Sequence, residues 1–134
     1  MSEALILATF LAIVQMESGG KLNARNGQAV GPAQIKPVVV QDCRKWGRDV
    51  TLEDRLTLDG SFRIFRVYTE TWILRKGLKD SIQNRANIWR HGPNSVSVKN
   101  GTATTYSLKV ESLVREGGGP ISKTQGQKGQ KEQN

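Results

Sequence analysis

Hydrophobic side chains from Ala4 to Val14 occupy every face of a predicted helix rather than one stripe, which marks a helix buried on all sides. Ser2 suits its N-cap, and the helix is predicted to run to Glu17, where Ser18-Gly19-Gly20 takes over. The stretch is too short to span a bilayer. Glu3 stands where a secretory signal would carry Lys or Arg, and no small-x-small cleavage site follows, so a core helix is expected and no cleavable signal.

From Lys21 to Lys36 the pattern turns polar and Gly-rich, with Asn26-Gly27 a hairpin signal and Gly31-Pro32 a second break. A short β-hairpin lobe is expected. Pro37 can open a second helix running to about Trp46, with Gly47 ending it, although Val38, Val39 and Val40 could instead form a strand. Phe62, Phe65, Tyr68 and Trp72 then recur at helical spacing behind Ser61, a candidate N-cap, while Arg63, Arg66, Glu70 and Arg75 stay off the stripe. The aromatic row is expected to face the core rather than a sugar, and Gly77 to end the helix. Asp80-Ser81 starts a helix with Ile82, Ala86 and Trp89 on one side, and Gly92-Pro93 stops it. A loop is expected from Asn94 to Gly101, then a last helix from about Ala103 to Glu116 with Tyr106, Val110, Leu113 and Val114 inward. The fold class is therefore α+β and mostly helical, one domain over residues 1–116, followed over 117–134 by a Gly/Gln/Lys-rich tail too poor in apolar side chains to order itself.

Charge adds a partner class. Twenty Lys and Arg against 12 Asp and Glu give +8. Lys123, Lys128, Lys131 and Glu132 supply +2 of this, leaving +6 for residues 1–116, so the basicity is not only a property of the tail. Nucleic acid, an anionic lipid surface or the carboxylates and phosphates of a bacterial envelope would each answer it. One cysteine, Cys43, rules out an internal disulfide and a Cys-cluster zinc site. With a single His as well, no metal or other cofactor is expected, and Cys43 reads as a buried small hydrophobe.

Candidate chemistry centres on Glu17, a lone acid at the end of an apolar helix beside a turn. Carboxyl groups held against apolar side chains lose hydration, which favours the neutral form that can donate a proton. Protonating a leaving oxygen is the first need of glycosidic cleavage.

Glu17-Ser18, followed by Gly31-Pro32-Ala33-Gln34-Ile35-Lys36-Pro37, resembles the catalytic signature of the lytic transglycosylases of the lysozyme superfamily. Ile88-Trp89-Arg90-His91-Gly92-Pro93-Asn94 and Thr104-Thr105-Tyr106-Ser107-Leu108-Lys109-Val110 are similar to two later segments of that family, in the same order. The resemblance covers residues 3 to 116 and implies a lysozyme-like fold with a small hairpin lobe and a substrate cleft. It implies peptidoglycan glycan strands as substrate and Glu17 as both general acid and general base. A 1,6-anhydro sugar would form without water. Gln34, which offers both a donor and an acceptor, would contact an N-acetyl or hydroxyl group, Ser18 would bond near the acid or be a simple helix C-terminal hydroxyl, Trp89 would serve as cleft wall or core, and Tyr106 would send its hydroxyl towards Glu17. The chain departs from the pattern at Pro32-Ala33, Arg90 and His91. Arg90 stands where the family has Asn, and its guanidinium is expected to bond a muramoyl carboxylate or Glu17 itself. His91 is expected to be a solvated turn residue.

Two other readings stay open from the residues. A hydrolytic lysozyme would need a second carboxylate about 5 to 9.5 Å from the first, with Asp42, Asp49, Glu53 and Asp54 the candidates. A non-enzymatic basic nucleic-acid-binding or structural module would use Arg63, Arg66, Arg75, Lys76 and the tail for phosphate contacts, although no specific nucleic-acid motif occurs. On the enzyme reading the protein acts at the bacterial cell wall, held by anionic envelope polymers and delivered by a phage virion or an envelope-spanning secretion machine.

Overall fold

The computed structural model describes residues 1–117, and the expected tail lies, but for Gly117, outside them. Six helices surround one core, with a two-stranded antiparallel sheet at one side: α1 (Glu3–Ser18), β1 (Arg25–Asn26), β2 (Ala29–Val30), α2 (Pro37–Lys45), a 3-10 turn (Leu52–Leu56), α3 (Leu58–Lys76), α4 (Ile82–His91), α5 (Val96–Asn100) and α6 (Thr105–Arg115). The described chain is thus α+β and mostly helical.

Helix α1 is apolar all round because α3, α4 and α6 all pack against it. Ile6, Phe10, Ala12, Ile13 and Val14 are buried, and each large apolar side chain contributes roughly 1.5–3 kcal/mol. Ser2 Oγ accepts from Leu5 N at 3.1 Å. At the other end Gly19 takes the left-handed conformation, φ 66°, and its N–H returns to Gln15 O.

The hairpin forms as expected, Arg25 opposite Val30 and Asn26 opposite Ala29, around Gly27 at φ 63°. A further bridge joins Val30 to Ile35, so the segment that carries Gln34 folds back onto the sheet. The three consecutive valines resolve as helix. With Pro37 in its first turn, α2 buries Val40, exposes Val38 and leaves Val39 between them, a rotation no half-buried strand would give.

Two expectations fail locally. Helix α3 begins at Leu58, capped by Thr57, whose side chain accepts from Gly60 N; Ser61 is instead fully buried and donates to Arg55 O at 3.1 Å. The 3-10 turn before it is closed by a reciprocal capping box between Thr51 and Asp54. It crosses the start of α3 so closely that a Cβ on Gly60 would lie 2.3 Å from Asp54 O. The second correction is α5, one helical turn where a loop was expected, held between Ser95 as N-cap and Gly101 and anchored by the single buried side chain of Val98.

The aromatic row of α3 faces inward. Phe65 and Tyr68 are buried with Ile64 and Ile73, and Phe62 and Trp72 are half-buried beside them. Polar groups also enter the core. Arg85, 1% exposed, donates to Asp80 Oδ1 at 2.7 Å and to Thr69 Oγ1 at 3.0 Å. The guanidinium in turn holds the Asp80 carboxyl below the usual carboxylate range. Cys43 is buried, and burial, then the charge of Asp42, pushes its thiol up to about 11, so it behaves as the expected small hydrophobe.

Candidate active site

Glu17 lies in the last turn of α1, and its side chain is 10% exposed. It faces a cleft of about 450 Å³ between the hairpin lobe and the C-terminal part of α4. Gln34, Ile35 and Lys36 line one side, and Trp89, Arg90 and His91 the other.

Two donors meet the carboxylate. Tyr106 Oη donates to Oε2 at 2.7 Å, and Arg90 Nη1 donates to Oε1 at 3.4 Å. Burial, the Glu17 charge and the hydrogen bond to it together hold the Tyr106 phenol far above its ordinary value, so this hydroxyl stays protonated and remains a donor. Arg90 is anchored less firmly. Its side chain is 54% exposed, and its guanidinium also stands over the Tyr106 ring, 5.6 Å from the centroid.

A buried polar link sets the position of Tyr106. Asn87, 1% exposed on α4, donates to Thr102 O at 3.0 Å and accepts from Thr104 Oγ1 at 2.7 Å. Thr104 caps α6 reciprocally with Ser107, so the start of the helix carrying Tyr106 is tied to the helix carrying Arg90. The signal was present in the sequence, since Asn87 immediately precedes Ile88-Trp89-Arg90, but nothing in its spacing revealed that it would be buried.

Gln34 is the one non-glycine residue at positive φ, 55°, among the described residues. Its Nε2 donates to Gly31 O at 2.9 Å and to Ala24 O at 3.2 Å, which holds the loop in that unusual conformation. Expected to offer both donor and acceptor, Gln34 therefore presents only its carbonyl oxygen to a ligand. Gly31 allows the same close packing: it sits at φ 85°, and a Cβ there would fall 1.8 Å from Arg55 O.

Ser18 is not brought to the cleft. Its hydroxyl donates to Pro32 O at 2.7 Å and accepts from Gly20 N at 3.1 Å, tying the end of α1 to the lobe. One residue beyond Glu17 on a helix points about 100° away, and this rotation turns Ser18 from the acid. Trp89 is both wall and core: it lines the cleft, its Nε1 donates to Ala33 O at 3.2 Å, and its ring packs edge-on against Phe65 and Tyr68.

The cleft also has members to which sequence reasoning assigned no role. His91 is exposed, as expected, but it is the last residue of α4 rather than a turn residue, and it lines the cleft with its ring edge-on to Tyr106 at 6.2 Å. Lys36 brings a second cation, and Tyr68 a hydroxyl whose value burial pushes up to about 12. The sole clue to Lys36 was its adjacency to Gln34. None of Asp42, Asp49, Glu53 and Asp54 lines the cleft, and Asp54 is engaged by Arg63 at 2.9 Å. Glu17 is thus the one acid facing it among the described residues. Those residues contain no group of three or more His, Cys, Asp or Glu placed to hold a metal ion. Nor does any helix among them have the length and apolarity to cross a membrane.

The chain matches no protein-family model, no curated protein and no solved structure.

Proposed function

We propose that this protein is a peptidoglycan lytic transglycosylase with a lysozyme-like fold, cleaving the bond between N-acetylmuramic acid and N-acetylglucosamine with Glu17 as its one acid and base. The observation that carries this reading is the single carboxylate on the cleft among the described residues, met by two donors, with Gln34 lining the same cleft. A hydrolase of the same fold would ask for a second carboxylate.

In the proposed reaction the protonated Glu17 carboxyl gives its proton to the glycosidic oxygen as the bond from that oxygen to C1 of the muramoyl unit breaks. The muramoyl 6-hydroxyl oxygen bonds to the same C1, and its proton returns to the Glu17 carboxylate. The acid is regenerated and no water is consumed. Tyr106, which stays protonated, keeps a hydrogen bond on Oε2 and so fixes the carboxyl plane, leaving Oε1, which Arg90 contacts, as the oxygen that would serve the reacting atoms. The carbonyl of Gln34 accepts from an N-acetyl N–H or a sugar hydroxyl, and the Trp89 edge supplies flat apolar surface. On this reading the protein works at the bacterial cell wall, where its positive charge holds it among anionic envelope polymers, and a phage virion or secretion machinery brings it there.

The test is digestion of purified peptidoglycan by the wild type and by Glu17→Gln, with released muropeptides read by mass. Anhydro products, one water lighter than hydrolytic ones, are expected from the wild type and should vanish in the variant. Reducing-end products would make it a muramidase. Folded wild-type protein that releases nothing would overturn the enzymatic reading in favour of a basic binding or structural module.

A further inference from the structure

Arg90 occupies the acid before any substrate does. Its guanidinium contacts Glu17 Oε1 at 3.4 Å, the oxygen that Tyr106 leaves free. Both Glu17 oxygens then already carry a donor before a glycosidic bond arrives. Yet the contact is long, Arg90 is 54% exposed, and pairs of that kind are weak and screened by solvent. It is a contact that a better partner would break.

The charge of the cleft says what that partner is. Lys36 and Arg90 bring positive charge from opposite sides, and Glu17 is the one acid lining the cleft among the described residues. A ligand carboxylate entering here gains two cations. An uncharged ligand of the same shape must displace Arg90 from Glu17 and gives the guanidinium nothing in return.

We propose that Arg90 is a carboxylate-exchange latch: a carboxylate borne on the ring substituent of a sugar polymer takes Arg90 from Glu17, and the acid is thereby released for catalysis only when an anionic glycan fills the cleft. This rests on the glycan-cleaving reading above. No covalent step is involved. The guanidinium trades one carboxylate for another, as a bidentate partner if the incoming group aligns with its fork. The Tyr106 ring, 5.6 Å from the guanidinium, gives Arg90 a surface to rest against during the exchange.

The experiment compares carboxylate-bearing glycan strands with the same strands after their carboxylates are converted to methyl esters, for wild type, Arg90→Gln and Lys36→Gln. Cleavage is measured as kcat/KM, and binding by calorimetry in a Glu17→Gln background. The wild type should favour the acidic strands by tenfold or more. Arg90→Gln should lose that preference from both directions, cleaving acidic strands less well and esterified strands better than the wild type does. Lys36→Gln should weaken acidic binding without the gain on esters, because Lys36 does not touch Glu17. A purely structural role for Arg90 would lower both substrates alike, and an unchanged preference or a parallel loss in Arg90→Gln overturns the latch while leaving the enzyme reading intact. If the wild type cleaves neither substrate, the enzyme reading fails. The latch rests on that reading and falls with it.

Discussion

At the scale of single residues, the site turns on which oxygen of Glu17 is spoken for. Tyr106 holds Oε2 with a short bond from a phenol that stays protonated through the working range, and bonds of a neutral donor to a charged group contribute about 1.5–3 kcal/mol. Tyr106→Phe is therefore expected to lower kcat about 10- to 100-fold with little change in KM, and the wild-type pH profile should show no limb near the ordinary phenol value of about 10. Steady-state kinetics across pH checks both. Five of the residues singled out in the sequence converge here, Glu17, Gln34, Trp89, Arg90 and Tyr106, and they were legible because their motifs pair unusual residue types at short spacing. A place for Ser18 beside the acid and a free donor on Gln34 failed for one reason. A motif names the residue but not the direction of its side chain, and both of these bond the backbone of the loop they stabilise. Arg85 was invisible, because a buried arginine reads as surface until its partners Asp80 and Thr69 are seen around it.

Among helical elements, long ones declared themselves and short ones did not, while the two-residue strands were legible through Asn26-Gly27. Helices α3, α4 and α6 have enough turns for a period to emerge and α1 shows a long apolar run, whereas α5 buries only Val98 and the 3-10 turn buries nothing at all. Their reality lies in caps, Ser95 for one and Thr51 with Asp54 for the other, and caps are easily taken for loop polarity. The same blindness placed the cap of α3 at Ser61 rather than at Thr57. Gly60 is in fact a helical residue chosen for lack of bulk. Alanine would gain about 1 kcal/mol in helix propensity there, but a Cβ 2.3 Å from Asp54 O forces backbone apart, so Gly60→Ala is expected to destabilise by more than about 2 kcal/mol net. Denaturant melts would show this, and an unchanged midpoint would mean that the 3-10 turn yields without cost. Because Arg55, in that turn, donates to Ile35 O, loosening it should also reach the wall of the cleft.

Across the whole molecule, residues 89 positions apart in the chain meet at one carboxylate, and no period or composition carries that distance. It emerges from α1 being enclosed by α4 and α6, whose mutual register is pinned by Asn87 and Thr104. Charge was legible only as a sum: +8 says that a polyanion is welcome, while the cleft's own balance of Lys36 and Arg90 against Glu17 had to be seen. The core offers one more such convergence. Trp89 touches Tyr68, Tyr68 stacks on Trp46, and Trp46 meets Trp72 edge-on, with successive centroids no more than 6.0 Å apart. All three tryptophans of the chain are therefore one optical unit with one end on the cleft. Excitation absorbed at Trp46 or Trp72 can pass along the rings to Trp89, so the protein carries its own fluorescent gauge of cleft occupancy. Titrating a glycan into Glu17→Gln should shift the tryptophan emission, and Trp89→Phe should abolish that response while leaving most of the light.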